Sequence, residues 1–127
     1  MNAADHPTIL IIDDEKCIRD ALRMLLRKNF DVHCAEDVPS GLLEFTECQP
    51  DLVIIDYYMP GENGIQGITR LRQSDPHVPI LFLTGFADDE TLERATEAGA
   101  TGFMRKPFDI AGMHGTIRQF IGQKAAA

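Results

Sequence analysis

The sequence predicts one α/β domain, with a parallel sheet of five strands and helices on both of its faces. Short apolar runs rich in β-branched residues alternate along the chain with amphipathic stretches, as in repeated β-α units. The runs at residues 9–12 and 52–55 are apolar throughout, which is typical of strands buried on both faces. A chain of 127 residues can enclose one core, which we place at residues 8–121, and is too short for a second domain. We therefore interpret residues 1–127 as a single domain.

Five apolar runs are the predicted strands, and their lengths are those of ordinary buried strands. They are residues 8–12, 30–35, 52–56, 79–84 and 102–106. The second run alternates only weakly between apolar and polar side chains, so we expect it at an edge of the sheet. Pro107 ends the fifth run, because proline lacks the backbone donor that a strand needs.

A helix is predicted after each strand. The first begins near Glu15, the second and third end before Pro50 and Pro76, and the last two are residues 88–98 and 109–121. Apolar residues at helical spacing mark one face of the first helix, namely Ile18, Ala21, Leu22, Leu25 and Leu26. The second helix carries Leu42, Leu43 and Phe45, and the third carries Ile65, Ile68 and Leu71. Acidic residues in the first turn of the fourth helix suit the positive end of the helix dipole.

The composition argues against two classes of partner. The formal net charge is -8, so the surface as a whole should repel nucleic acid and anionic lipid. The amino terminus lacks the basic and then apolar pattern of a signal peptide, and no apolar stretch approaches the ~20 residues that span a bilayer. Cys17, Cys34 and Cys48 stand without Cys-x-x-Cys pairing, which favours a reducing compartment. We expect a cytoplasmic protein that binds neither nucleic acid nor membrane directly.

Charged and polar side chains appear where the predicted strands end. Asp13 and Asp14 directly follow the first strand, and Asp56 directly follows the apolar core of the third. The carboxyl ends of parallel strands form the crevice in which open α/β sheets bind ligands. Three carboxylates gathered there would repel one another unless a divalent cation neutralised them. Thr84 and Lys106 end the fourth and fifth strands, so a hydroxyl and an ammonium group share the crevice. This set predicts phosphoryl transfer, which needs positioning and neutralisation of oxygen charge.

Each of these residues also has an ordinary structural interpretation. Asp13 and Asp14 alone would be a helix N-cap and its neighbour, Lys106 alone a solvated lysine, and Thr84 alone a turn residue. Their combination with Asp56 at strand ends favours the site over these interpretations. The histidines show no spacing typical of metal ligands, and we interpret all four as surface or turn residues: His6, His33, His77 and His114.

Four segments together resemble the receiver domain of two-component response regulators. They are residues 11–15 (Ile-Ile-Asp-Asp-Glu), 56–61 (Asp-Tyr-Tyr-Met-Pro-Gly), 83–85 (Leu-Thr-Gly) and 98–108 (Ala-Gly-Ala-Thr-Gly-Phe-Met-Arg-Lys-Pro-Phe). Each segment is weak alone, but their order and spacing are specific, and the resemblance covers residues 9–120. It implies a flavodoxin-like, doubly wound (βα)5 fold and a part in signal transduction as a phosphoprotein, with no output domain in this chain.

The resemblance implies a role for each carboxylate at the strand ends. Asp56 would accept a phosphoryl group from a sensor histidine kinase, a phosphotransfer protein or a small phosphodonor, and would become an aspartyl phosphate. Asp14 and Asp56 would ligate Mg²⁺ directly, together with the backbone carbonyl of Tyr58. Asp13 would act on the ion mainly through water, and Lys106 would contact a phosphoryl oxygen as a point charge.

Thr84 and Phe103 form the implied switch. The Thr84 hydroxyl, with the Gly85 amide, would bond a phosphoryl oxygen, and Phe103 would then move into the space that Thr84 leaves. Packing alone explains an aromatic residue on a strand equally well, so a plain core role for Phe103 stays open. The output would reach a downstream protein, or a second copy of the chain, through the face of the fourth helix, fifth strand and fifth helix. Such a domain catalyses its own phosphorylation and dephosphorylation and turns over no external substrate.

Two bulky residues predict a long-lived phosphorylated form. By resemblance, Tyr58 and Phe86 lie beside the path of the water that would hydrolyse the aspartyl phosphate. Neither side chain supplies a carboxylate or amide to orient that water, although the Tyr58 hydroxyl could do so weakly.

Three other functions were weighed against this one. A flavodoxin-like cofactor binder would need a glycine- and hydroxyl-rich phosphate loop where residues 13–15 are acidic. A phosphatase with an aspartate nucleophile would need a second acid two residues beyond Asp56, where Tyr58 stands. A degenerate receiver that only docks unphosphorylated is disfavoured because every chemical group is present.

Overall fold

The elements of the structure, a computed structural model, follow the predicted order. It describes residues 6–85, 88–106 and 110–126, with no side chains described at positions 110 and 122–126. The elements are β1 (Thr8–Ile12), α1 (Lys16–Leu26), β2 (Asp31–Ala35), α2 (Val38–Cys48), β3 (Leu52–Asp56), α3 (Gly64–Ser74), β4 (Ile80–Thr84), α4 (Asp89–Ala98), β5 (Gly102–Arg105) and α5 (Ile110–Ala126).

The boundaries differ from the prediction mainly near the carboxyl end. β5 ends at Arg105, one residue earlier than predicted, so Lys106 is the first residue after the strand. α5 continues to Ala126 instead of ending at residue 121. Phe86 and the predicted helix start at Asp109 lie outside the described residues. Within the described part of the chain, no helix is both long and apolar enough to cross a membrane.

The five strands form one parallel sheet in the order β2-β1-β3-β4-β5. The predicted fold class is therefore confirmed, and so is the edge position of the second strand. The central strands β3 and β4 are buried at every residue, because helices cover both faces of the sheet. The edge strands β2 and β5 contain exposed residues as well as buried ones.

The two faces of the sheet carry separate apolar clusters. One lies under α1 and α5 and includes Ile9, Ile11, Leu22, Leu26, Ile54, Leu81, Met113 and Ile117. The other lies under α2, α3 and α4 and includes Leu10, Ile12, Val53, Ile55, Ile68, Leu71, Phe82 and Ala95. Successive residues of β1 alternate between the clusters, as the two-residue period of a strand requires.

The loop between β3 and α3 is held closely against the end of β3. The Asn63 side chain accepts a hydrogen bond from the Gln66 amide, and the Gln66 side chain accepts one from the Asn63 amide, so a capping box fixes the start of α3. The Gly64 amide donates to the Tyr57 carbonyl at 2.9 Å. A side-chain carbon at Gly64 would lie only 2.2 Å from the carbonyl oxygen of Asp56. Glycine is required there by this close approach of two backbones.

Candidate functional site

Each of the three central strands ends in a buried polar side chain. Asp13 follows β1, Asp56 ends β3 and Thr84 ends β4, with exposed fractions of 0%, 4% and 1%. Among the described residues, these three are the buried polar or charged side chains. Because the strands are parallel and in register, their ends meet at one edge of the sheet, as the sequence predicted.

Lys106 brings a positive charge to this group. Its backbone amide donates to the Thr84 carbonyl at 2.9 Å, which fixes the residue beside the end of β4. The ammonium nitrogen Nζ lies 3.3 Å from Asp56 Oδ1 and 3.6 Å from Asp13 Oδ2. It also lies 3.4 Å from Glu15 Oε1, and the lysine side chain is only 19% exposed. A single half-buried cation therefore contacts three carboxylates.

The loop after β1 is shaped by hydrogen bonds to Asp13. Asp13 Oδ1 accepts from the Glu15 amide at 2.9 Å, and the Asp13 carbonyl accepts from the Arg19 guanidinium at 2.8 Å. The N-cap of α1 is Glu15, and its side chain makes no capping hydrogen bond. The interpretation of Asp13 and Asp14 as a helix N-cap and its neighbour is therefore wrong. Asp13 turns into the crevice instead.

Burial and mutual repulsion shift the pKa of both buried carboxyls. Burial first, and the charge of Asp13 second, raise the pKa of Asp56 to about 6, although Lys106 opposes the rise. Burial also raises the pKa of Asp13, and the charges of Glu15 and Asp14 add to the rise. Burial alone would lower the pKa of Lys106, but Asp56 and Asp13 outweigh it and the pKa is raised. The charged form of Lys106 is therefore favoured, whereas burial makes ionisation of Asp56 and Asp13 costly.

The oxygen atoms in the crevice suit a hard divalent cation. One carboxylate oxygen from each of Asp13, Asp14, Glu15 and Asp56 lies within 4.8 Å of the others. Asp13 Oδ2 is buried and has no hydrogen-bond partner, since the Lys106 ammonium at 3.6 Å is beyond hydrogen-bonding distance. An unsatisfied buried carboxylate oxygen beside three more carboxylates is the donor set that Mg²⁺ prefers. Glu15 joins this cluster, although the sequence predicted it only as the start of the first helix and not as a site residue.

The predicted switch residues differ in exposure. Thr84 is buried at the end of β4, paired in register with Arg105 of β5. Phe103 is 39% exposed, and its ring meets that of Phe82 edge-on at 6.3 Å between centroids. The alternative of a plain core role for Phe103 is therefore wrong. Its ring instead lines a shallow groove along α4, whose other walls are Asp89, Leu92, Glu93, Thr96 and Glu97.

Tyr58 lies on the surface two residues beyond Asp56. Its side chain is 68% exposed, and its ring packs against that of Tyr57 at 4.6 Å between centroids. The backbone carbonyl of Tyr58 is a predicted Mg²⁺ ligand. It belongs to the loop that starts beside the carboxylate cluster.

One histidine lies close to other potential metal ligands. His33 on β2 lies beside Glu44 and Cys48 of α2, and one ligand atom from each lies within 4.8 Å of the others. The spacing of His33 in the sequence did not indicate these neighbours, and its interpretation as an ordinary surface residue stays a prediction. The sequence held only a weak signal, because 11 residues separate His33 from Glu44 and the pairing depends on how α2 packs on β2.

Comparison with known proteins places this geometry in a family. Residues 9–118 match the model described as the response regulator receiver domain. The chain belongs to this family. It is 31% identical over 103 residues to the chemotaxis protein CheY of Halobacterium salinarum, covering 79% of this chain and 84% of that protein. The solved structure of chemotaxis protein CheY4 of Vibrio cholerae superposes with a TM-score of 0.87 at 26% identity, covering 91% of this chain and 98% of that one.

Other relatives are longer than this chain. The regulatory protein AtoC of Escherichia coli is 34% identical over 103 residues, which are 80% of this chain and 22% of AtoC. The chain spans about half or less of the length of the regulatory proteins that it matches. As a receiver domain it is a signalling module of two-component systems. Membership decides against the cofactor-binder and phosphatase alternatives.

Proposed function

We propose that this receiver domain accepts a phosphoryl group on Asp56 and thereby changes the binding of a partner protein. The observation that supports the proposal best is the Lys106 ammonium, 3.3 Å from a carboxylate that is 4% exposed at the end of β3. A buried carboxylate beside a fixed cation suits nucleophilic phosphoryl transfer, because the transferred group brings oxygen charge that must be neutralised. The donor would be a sensor histidine kinase or a phosphotransfer protein.

The transfer step needs four groups of this chain. An Asp56 carboxylate oxygen attacks the phosphorus atom, the bond from phosphorus to the histidine nitrogen of the donor breaks, and that nitrogen keeps the electron pair. Lys106 neutralises one phosphoryl oxygen, and the Thr84 hydroxyl and the Gly85 amide bond another. Gly85 suits this role because it lies beside Lys106, with 3.8 Å between the Lys106 side chain and the position of a side-chain carbon at Gly85.

The carboxylate cluster is the proposed Mg²⁺ site. Asp14 and Asp56 would hold the ion directly with the Tyr58 backbone carbonyl, and Asp13 would hold it through water. Glu15 is a further carboxylate within reach of this set. When bound, the ion supplies positive charge to the oxygens of the transferring group. The residues themselves orient those oxygens and keep Asp56 in place.

Loss of phosphoryl uptake in Asp56→Asn is the test of the acceptor. Wild type and variant are incubated with a small phosphodonor and Mg²⁺, and intact mass is measured. Wild type should gain one phosphoryl group and Asp56→Asn none, while Asp20→Asn, an exposed carboxylate on α1, should behave as wild type. Asp14→Ala should stay folded but lose the Mg²⁺-dependent uptake of the phosphoryl group. Equal uptake by Asp56→Asn would refute the assignment, and no uptake by wild type would favour a receiver that only docks.

We infer that the signal leaves through the face formed by α4, β5 and α5. Thr84 is buried at the end of β4, next to β5. Phe103 is 39% exposed and lines the groove along α4. If Thr84 is drawn toward the phosphoryl group, Phe103 has room to move inward, and the groove changes shape. Phosphorylation would bias an existing equilibrium between the two arrangements. This face would bind the downstream protein or a second copy of the chain.

Amide chemical shifts test this route. Adding a phosphoryl mimic with Mg²⁺ should move the amides of residues 88–98 and 102–108 as well as those of the crevice. Thr84→Ala should confine the shifts to the crevice, because the link to Phe103 is removed. Shifts that spread equally in wild type and Thr84→Ala would count against the switch.

The proposed setting is the cytoplasm. Cys17, Cys34 and Cys48 are free thiols, which suits a reducing compartment. The net charge of -8 argues against direct binding of this domain to nucleic acid or an anionic membrane.

A further inference from the structure

A second group of potential ligands lies at the opposite edge of the sheet from β5. His33 is in the middle of the edge strand β2, while Glu44 and Cys48 lie one helical turn apart on α2. His33 Nδ1 is 3.1 Å from Glu44 Oε2, and one ligand atom from each of the three residues lies within 4.8 Å of the others. All three are half-buried, so an ion could enter from solvent and still be shielded on one side.

These separations are close to those of a four-coordinate zinc site. Zinc binds nitrogen, oxygen and sulfur at about 2.0–2.3 Å, so tetrahedral ligand atoms lie roughly 3.2–3.8 Å apart. The distance of 3.1 Å between His33 Nδ1 and Glu44 Oε2 is already near that range. Small rotations of the side chains would bring the Cys48 sulfur into it, because no ligand atom is more than 4.8 Å from another.

The other nitrogen of His33 has the partner that metal-bound histidines usually have. His33 Nε2 lies 3.1 Å from Asp31 Oδ2. A ligating histidine commonly donates its second ring N–H to a carboxylate, which fixes the ring and leaves the first nitrogen free for the metal. With the proton on Nε2, Nδ1 points its lone pair toward Glu44. This contact is independent of the three-residue cluster and indicates the same ligand.

The charge around the cluster also favours a cation. Burial first, and the negative charges of Glu44, Asp31 and Asp51 after it, raise the pKa of the Cys48 thiol to about 11, so Zn²⁺ would displace a proton from this thiol on binding. The contacts of His33 with Asp31 and Glu44 involve partly exposed side chains, where even a charged pair contributes only about 0–1 kcal/mol.

We propose that His33, Glu44 and Cys48 bind Zn²⁺, with water in the fourth position and Asp31 positioning the imidazole. The mixed nitrogen, oxygen and sulfur donors suit zinc, whereas the all-oxygen crevice at Asp56 suits Mg²⁺. The ion would join the edge strand β2 to α2 and stabilise that side of the domain. This site is separate from the phosphoryl-transfer residues and does not depend on the proposed function.

Zinc titration of the full chain tests the proposal. Untagged protein is stripped of metal, kept reduced and titrated with Zn²⁺ against a chromophoric chelator, in excess Mg²⁺ that occupies the acidic crevice. Wild type should bind one Zn²⁺ and show a higher Tm with zinc than without it. Cys48→Ser and Glu44→Gln should each lose this binding, and Asp31→Asn should weaken it about tenfold. Cys17→Ser, which removes an exposed thiol outside the cluster, should bind as wild type.

Cobalt supplies a readout that a purely structural role would not affect. Co²⁺ bound to wild type and to Cys17→Ser should give a thiolate-to-metal absorption band, and Cys48→Ser should lack it. If Cys48→Ser does not fold, Glu44→Gln replaces it in the zinc titration. This variant keeps the thiol, removes a half-exposed oxygen ligand, and should also lose zinc binding. Equal zinc affinity in wild type, Cys48→Ser and Glu44→Gln would overturn the proposal. The proposal would also be overturned if excess Mg²⁺, or the substitution Asp14→Ala, abolished zinc binding.

Phosphoryl uptake separates this proposal from the proposed function. Cys48→Ser should take up the phosphoryl group as wild type does, so a missing zinc site and a missing phosphoacceptor give different results.

Discussion

The central strands and the edge strands of this sheet carry different kinds of side chain. β3 and β4 are buried at every residue, and β1 at all but its first, and the polar groups at their ends are fixed in place. β2 and β5 expose side chains along their length, among them the half-buried His33 and the 39% exposed Phe103. Phosphoryl transfer needs groups held at fixed distances, whereas communication needs side chains that a partner or an ion can reach. The middle of the sheet suits the first need and its edges suit the second.

Truncating one phenylalanine on each kind of strand should show the largest difference. Phe82 on β4 and Phe103 on β5 are paired in register, yet Phe82 is 0% and Phe103 is 39% exposed. Phe82→Ala should lower the free energy of unfolding by about 3–5 kcal/mol, because it leaves a cavity in the core. Phe103→Ala should lower it by only about 1 kcal/mol. Urea unfolding measures both, and equal losses would remove the distinction between central and edge strands.

Two glycines extend the comparison from side chains to backbone. Gly64→Ala would force the new carbon against the Asp56 carbonyl and should cost about 2–3 kcal/mol. It should also reduce phosphoryl uptake, because Asp56 itself must shift. Gly115→Ala on α5 meets no atom within 4 Å and should stabilise the protein by about 0.5–1 kcal/mol, since alanine favours helix. Tm measurements distinguish the two, and a neutral Gly64→Ala would contradict the close approach.

The strand-end charges should make stability depend on pH in Mg²⁺-free buffer. The pKa of Asp56 is raised to about 6 in the folded protein, chiefly by burial, while an unfolded aspartate titrates near ~3.9. Between these values the folded state holds a proton that the unfolded state has lost, so stability is highest below the unfolded pKa and falls as pH rises through about 6. Asp56→Asn should raise the free energy of unfolding at pH 7 by about 1–3 kcal/mol. It should also remove most of the fall between pH 4 and 6. If Asp56→Asn had the same dependence of stability on pH as wild type, the raised pKa of Asp56 would be disproved.

The smallest expected effect concerns the lifetime of the phosphorylated form. The 68% exposed Tyr58 should obstruct the water that attacks the aspartyl phosphate, so Tyr58→Asn should shorten the lifetime severalfold. Phe86→Ala should act in the same direction. First-order decay of purified phosphoprotein in excess Mg²⁺ measures both, with Leu43→Asn on the exposed side of α2 as a surface control. Decay no faster than in wild type would show that these aromatic side chains do not set the lifetime.

Sequence alone predicted the parts of the molecule that depend on local pattern. Buried strands must be apolar on both faces, so runs such as residues 52–55 were recognisable without any neighbour. The ends of parallel strands must meet, so Asp13, Asp56 and Thr84 could be grouped before their contacts were known. The distances from Lys106 to two of these carboxylates agree with that grouping.

What the sequence could not predict depends on packing between elements. Glu15 joins the cluster because hydrogen bonds to Asp13 turn the loop, and nothing in the run of acids indicates which side chains turn inward. His33 meets Cys48 only because of the position of α2 over β2. Phe103 is exposed because no helix covers its side of an edge strand completely, whereas the same residue on a central strand would be core.

The charge count of the crevice has a thermodynamic consequence. Asp13, Asp14, Glu15 and Asp56 lie around the Lys106 ammonium, so these five groups together carry a formal excess of three negative charges when all are ionised. A divalent cation would leave an excess of one, whereas a phosphoryl group alone would add to the excess. If this site takes up both groups as proposed, cation and phosphoryl group should strengthen each other's binding, and for a non-covalent phosphoryl mimic the two enhancements would be equal by reciprocity. A cell that changed its free Mg²⁺ would thereby change how strongly this domain holds its signal, with no change in the kinase.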